Sequence, residues 1–473
     1  MKKSFQIAFS IVALSASTNL LADNLLEVFK LAKQGDPIYL ASQAGTRAAN
    51  DRVSQSMSGL LPQLSASYSY SKSDTDSGGI TTIVGAVDNP LTPDIDESQP
   101  QNSSNTSEST SDGYTVNLRQ EIYNHSTWLG LKQSEKRELQ ARINHEGVKQ
   151  DLIVRTAEAY FNVLAAQDSV AFSKAETEAV SKELAQTKQR FEVGLIAITD
   201  VHEAQSRYDL AIANQIAAQN GLDNAHELLQ QVTGRYHYNL LTLVDNFPLK
   251  NPQPEDIKEW VKRSESNNIS IKAASVGLEI AKKSIDISQA GHYPTLDLSA
   301  SYTDGSQETD SAGEQFFGSF YDNSVSHSDN EQQRTSISLN FNVPIYSGGR
   351  TNAQVKESRN LYQQAAHNLE AERRKAVSLT RSSYLGSVAA VSSVKALKQA
   401  VVSSEKSLEA TQAGFEVGTR TIVDVLQQTQ ILFNSKRQYA RARYDYVLNI
   451  LRLKQAAGML TEDDLAQVNK LLR

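Results

Sequence analysis

The chain has 473 residues, with 47 Lys and Arg against 54 Asp and Glu for a formal charge of −7, so it has no basic surplus with which to hold nucleic acid. Cysteine is absent, which removes disulfides, thiolate metal sites, a cysteine nucleophile and a lipid-bearing N-terminal cysteine. A mean hydropathy of −0.43 excludes a polytopic helical membrane protein.

Residues 1–22 read as a signal peptide. Met1-Lys2-Lys3 is a positive start, Phe5 to Leu14 is mostly apolar, and cleavage after Ala22 leaves Asp23 first. Beyond it no stretch of about 18 apolar residues is expected. Two alternating segments follow. Leu64, Ala66, Tyr68 and Tyr70 alternate with Ser65, Ser67 and Ser69, which predicts a strand over about 62–72. Tyr114, Val116, Leu118 and Ile122 alternate with Thr115, Asn117, Arg119 and Glu121, which predicts a second over about 113–123, with Gln120 the one lapse. The acidic, Ser- and Asn-rich stretch between them, 71–112, reads as a loop. Residues 124–191 then lack proline and carry Leu152, Ala159, Val163, Ala166 and Val170 at helical spacing. Gly194 is placed to end that helix, and Thr199-Asp200 to start the next.

The chain then repeats itself. Phe191-Glu192-Val193-Gly194 recurs 224 residues later as Phe415-Glu416-Val417-Gly418, and Ile122-Tyr123 recurs 223 later as Ile345-Tyr346. Pro62-x-Leu64 recurs as Pro294-x-Leu296. Pro248, Pro252 and Pro254 mark a linker, so residues 23–247 and 248–473 are expected to be two repeats. In the second, strands are expected over about 294–304 and 335–346, and a loop over 304–334. A long helix over 348–415 carries Tyr384, Val388, Ala390 and Val394, and hairpin tips are expected at about 191–200 and 415–424. Thr421-x-x-Asp424 fits a capping box.

One face of each strand is apolar and the other polar, as in a water-soluble sandwich or a transmembrane barrel. The segments approach the 9–11 residues of a tilted spanning strand, tyrosines stand near their ends as in interfacial girdles, and the polar faces suit a wetted lumen. Four strands cannot close a barrel, and an open edge in lipid leaves backbone groups unpaired. A membrane barrel must therefore be shared among chains.

The leader, the two strand-pair-plus-hairpin repeats, and tips reading RFEVGLIAITDV and GFEVGTRTIVDVL resemble the TolC family of outer-membrane channel-tunnels, over nearly all of residues 23–473. The resemblance implies a mostly α fold with a membrane β-barrel. Three chains would share a twelve-stranded barrel in outer-membrane lipid and a twelve-helix periplasmic tunnel. Implied partners are a periplasmic adaptor and an inner-membrane efflux pump or ABC exporter. The implied function is the exit duct of a tripartite efflux or type I secretion system.

The resemblance also assigns tip residues. Asp424 matches an aspartate lining the closed entrance, and Gln427 stands where close relatives carry a second one. Thr199, Asp200, Arg420 and Arg443 match a closed-state latch between hairpins. Phe415 replaces the latch tyrosine, and Glu183 with Gln412 reads as an exchanged Gln/Glu partnership. Gly194 and Gly418 match glycines of the adaptor-docking grooves. Asp424 reads equally as a helix cap, Arg420 and Arg443 as exposed helix charges, and both glycines as turn residues.

An enzyme is not expected. The eight histidines are scattered, and no HExxH, GxSxG or P-loop occurs, so no catalytic residue, metal or cofactor is assigned. A soluble periplasmic coiled-coil adaptor or structural protein is the competing reading, since long hairpins suit it too, but it has no use for four apolar-faced strands.

Overall fold

The fold comes from a computed structural model, which describes residues 23–82, 100–245, 247–317 and 320–473. The expected leader, 1–22, lies outside the described residues. In chain order the elements are α1 (Leu25–Gly35), α2 (Pro37–Ser58), β1 (Gln63–Thr82), β2 (Pro100–Asn124), α3 (His125–Glu192), α4 (Ile198–Thr233), α5 (Ile257–Asn267), α6 (Ile269–Ala290), β3 (Thr295–Phe317), β4 (Phe320–Asn342), α7 (Arg350–Glu416), α8 (Ile422–Ala456) and α9 (Glu462–Asn469). They fall into two compact units. One takes the chain up to Ala48 with Leu139–Leu278 and Ala365–Arg473; the other takes Ala49–Glu138 and Glu279–Gln364.

The second unit holds one four-stranded antiparallel sheet in the order β1-β2-β3-β4. Directly paired residues point to the same face, so the register decides whether the four alternating patterns agree. They do. Leu64, Leu118, Ala300 and Ile337 form one row across the sheet, and Ala66, Val116, Tyr302 and Thr335 the next. The opposite face carries Ser65, Asn117, Ser301 and Ser336. A bulge between Glu121 and Tyr123 brings Tyr123, not Ile122, opposite Leu296. Gln120, the lapse in the pattern, donates to the carbonyls of Leu60 and Glu121 at 3.0 and 2.8 Å.

Over the described residues the expected loops are strands. β1 runs on to Thr82 and β2 begins at Pro100, while β3 and β4 continue to Phe317 and from Phe320. Pairing between the two hairpins persists as far as Ser103 opposite Gln315. Apolar alternation stops at the tyrosines because both faces are polar beyond them. The backbone ladder needs only Ser and Thr that tolerate extended conformation.

The other unit is helical. α3 and α7 are 68 and 67 residues long, about 100 Å each at 1.5 Å per residue. Leu152, Ala159 and Val163 of the expected stripe are buried, beside Tyr160, Phe161, Leu229, Leu448 and Leu451. On α7 the buried line is Thr380, Ser387, Ala390, Val391 and Val394. Its hydroxyls reach α8, Ser387 donating to Asn449 O at 3.1 Å and Thr380 to Ala456 O at 3.3 Å. One 18-residue window within α7 reaches a mean hydropathy of 1.2. Asp23 pairs with Leu240, and Leu243 with Leu472, which ties both ends of the described chain to the segment that follows α4.

Candidate functional site at the hairpin tips

Both tips turn on a glycine. Gly194 and Gly418 each have φ of +78°, the left-handed region that a Cβ disfavours. Leu195 N–H reaches Arg190 O at 2.9 Å and Gly194 N–H reaches Phe191 O at 2.9 Å; Thr419 to Gly414 and Gly418 to Phe415 repeat the pair at 2.8 and 3.2 Å. This is the Schellman closure of a helix C-terminus. A Cβ on either glycine would meet nothing within 4 Å, so conformation, not space, requires glycine there.

The restarts differ. α8 opens on Thr421, whose hydroxyl accepts from Asp424 N–H at 3.3 Å, while Asp424 Oδ2 accepts from Thr421 N–H at 3.0 Å and from its hydroxyl at 2.9 Å. Thr421's backbone N–H, then its hydroxyl and more weakly the Arg420 charge, hold the Asp424 carboxyl below the usual carboxylate range. α4 instead starts at Ile198 behind Ala197, which makes no side-chain cap. Thr199 and Asp200 therefore lie in its first turn and not at its cap. Gln427 is exposed one turn beyond Asp424.

Beneath the turns the hairpins share an apolar plug of Val180, Leu184, Ala204, Phe415, Ile422, Val425 and Leu426. Phe415 is buried under Arg190, whose guanidinium carbon lies 4.3 Å from the ring centroid and whose Nη1 reaches Phe415 O at 3.4 Å. Above the plug Gln412 donates to Glu183 Oε1 at 3.3 Å. Burial pushes the Glu183 carboxyl up, against the pull of Gln412 and Arg190. Arg420 makes no hydrogen bond to Thr199 or Asp200 within the chain among the described residues; its side chain folds back beside Gly414, where a Cβ would stand 2.8 Å from Arg420 Cγ.

Arg443 is not at the tip. It lies nineteen residues beyond Asp424 on α8, about 28 Å at the helical rise. It is buried there, its Nη2 donating to Leu243 O at 3.1 Å and Val244 O at 2.7 Å. Its Nη1 is 3.6 Å from Asp245, and its Nε has no hydrogen-bond partner among the described residues. Within the chain it fastens the segment that follows α4. Spacing along one helix matched the family motif, but the contact it makes is set by which chain segment crosses α8 at that height.

Three exposed tip residues escaped the sequence reading: Val193, Leu195 and Val417, each at least 70% exposed. The available signal was an apolar residue flanking each turn glycine. Gly414 was also missed, because no motif marks a glycine that makes room for a neighbouring side chain. Among the described residues one group has metal-ligand composition, Glu308, Asp310 and His327 on the sheet. All three are exposed, and His327 Nδ1 is already engaged with Asp310 at 2.7 Å.

The profile of the outer membrane efflux protein family matches residues 28–235 and 260–459. The chain belongs to that family. It is 38% identical over 475 residues to the Outer membrane protein TolC of Escherichia coli strain K12, covering 100% of this chain and 90% of that one. It is 26% identical over 456 residues to the Proteases secretion protein PrtF of Dickeya chrysanthemi, covering 94% and 90%. The Campylobacter jejuni CmeC outer membrane channel has the same fold, with a TM-score of 0.71 at 15% identity over 100% of this chain and 97% of that one. As an outer membrane efflux protein the chain is an exit duct for efflux and type I secretion, seated in the outer membrane with its helical part in the periplasm.

Proposed function

We propose that the duct is a homotrimer. Its barrel has twelve strands, and its tunnel is built from the helical hairpins of two repeats per chain. The observation that carries this is the sheet register. All four apolar patterns share one face, and β1 and β4 each present an unpaired edge. Such edges cost several kcal/mol per backbone group in hydrocarbon, and three sheets of four strands close on themselves. In the same reading residues 1–22 are the cleaved leader, and 23–247 and 248–473 are the repeats.

The tips form the entrance. Asp424 lines it, with Gln427 a turn behind, and Arg420 reaches Thr199 and Asp200 of the neighbouring chain to hold it shut. The lack of such a bond within one chain agrees with a contact between chains. Arg190 over Phe415, and Glu183 with Gln412, brace each chain's own pair of hairpins. Val193, Leu195 and Val417 around Gly194 and Gly418 offer an apolar rim to a periplasmic adaptor, which joins the duct to an inner-membrane pump or ABC exporter. A soluble adaptor is not favoured, because its strands would have no lipid to face. Native mass measurement in detergent tests the assembly: a trimer is expected, and a stable folded monomer would overturn it.

A further inference from the structure

Above the tyrosines the sheet sorts its charges. On the face that continues the apolar rows, the next rows are Tyr70–Asp112–Ser306–Glu331, Lys72–Thr110–Glu308–Asp329 and Asp74–Glu108–Asp310–His327. The opposite face, from Ser71–Ser111–Gln307–Asn330 through Ser73–Ser109–Thr309–Ser328 and Thr75–Ser107–Ser311–Ser326 to Ser77–Asn105–Gly313–Ser324, holds no charged residue, and a charge returns only in the next row, with Asp322 opposite Gln315. Nearer the helices that same face does carry charge, in Arg119, Asp297 and Arg334. Neutrality is thus confined to the extension, which from Asp304 to Gly313 runs about 30 Å along the strand.

The neutral face satisfies itself. Ser71 and Ser111 hydroxyls lie 2.8 Å apart, Ser311 and Ser326 2.8 Å, Ser109 and Thr309 3.3 Å, and Gln307 Nε2 donates to Ser109 at 3.1 Å. A wall wetted alike on both sides has no reason to separate charge this way. A duct has one, since fixed charges around a narrow lumen focus the field and concentrate solutes of one sign.

We infer that the extension from Gly305 to Gly313 is an exit vestibule whose hydroxyl and amide lining passes cargo of either charge sign, the carboxylates of those rows lying on its outer surface. This rests on the trimeric barrel for which face is inside.

The absence of cysteine allows a test on the full-length protein with single thiols, Ser109→Cys on the neutral face and Thr110→Cys on the acidic one. Methanethiosulfonates bearing sulfonate or trimethylammonium are added to the outer side of a planar bilayer. At Ser109→Cys both reagents should lower conductance, with rates that agree within about two-fold once scaled to a free thiol. At Thr110→Cys the thiol should label, by mass, without a conductance step, and faster with the cation by about ten-fold beside Glu308 and Asp329. A preference of about ten-fold for either charge at Ser109→Cys overturns the neutral vestibule, and so does failure of that thiol to react at all. A conductance step at Thr110→Cys without one at Ser109→Cys instead overturns the assignment of faces, and with it the barrel.

Discussion

One oxygen of Asp424 accepts both the N–H and the hydroxyl of Thr421, so removing the carboxylate uncaps α8 as well as discharging the proposed entrance. Asparagine separates the two effects, since it still accepts from Thr421 without the charge. The sign of the pH effect follows from the lowered carboxyl. The cap contributes fully above the ordinary Asp value of about 3.9 and is lost only as pH falls through the lower folded value, so each chain's Asp424 is ionised at neutral pH. In the proposed latch Arg420 acts across a surface contact worth up to about 1 kcal/mol per pair. Arg420→Ser should raise single-channel conductance without changing the temperature at which the assembly dissociates. Arg443→Ser should do the reverse. It strands the buried carbonyl of Leu243, at about 1–3 kcal/mol, and the half-buried one of Val244, so heat dissociation should fall by several degrees while conductance stays put. Conductance that rises in Arg443→Ser would return that arginine to the latch.

At the scale of the elements the two turns are the sharpest lever. At φ of +78° an alanine in place of Gly194 or Gly418 costs about 1–2 kcal/mol of backbone strain, yet its Cβ meets no neighbour. Gly194→Ala and Gly418→Ala should therefore loosen the tips and weaken adaptor crosslinking, with circular dichroism unchanged. Crosslinking at wild-type yield in both variants would leave these glycines as turn residues only. The turns were legible because FEVG recurs and glycine has one conformational use at a helix end. The long helices were legible from the absence of proline, and the lower half of each strand from its alternation. The upper half was not, because a strand wetted on both faces has no hydrophobic period and is betrayed only by its partner. The contact of Arg443 with Leu243 and Val244 was not legible for a related reason: spacing along a helix fixes height and azimuth but not what crosses there. Phe415 was read as a lost hydroxyl, whereas Arg190 covers its ring, a contact worth about 0.5–2 kcal/mol that no local pattern announces.

For the whole molecule, the proposed trimer brings three copies of Asp424 to one axis and sets two influences against each other. The Thr421 cap lowers each carboxyl, while mutual repulsion raises the set and makes it titrate as a unit. A ring of ionised carboxylates is also an oxygen-rich site for a hydrated multivalent cation. Gln427 leaves one carboxylate per chain where the family resemblance supplies two, and Coulomb attraction to a trivalent ion falls roughly with that charge. Gln427→Asp should therefore tighten block by hexamminecobalt added from the periplasmic side of a planar bilayer. Asp424→Asn should nearly abolish it while keeping α8 capped. Block in the native protein should fade on acidification as the ring takes up its first proton, at a higher pH than an isolated capped aspartate would give. Block that survives Asp424→Asn would move the charged ring elsewhere on the entrance and leave Asp424 as the cap of α8.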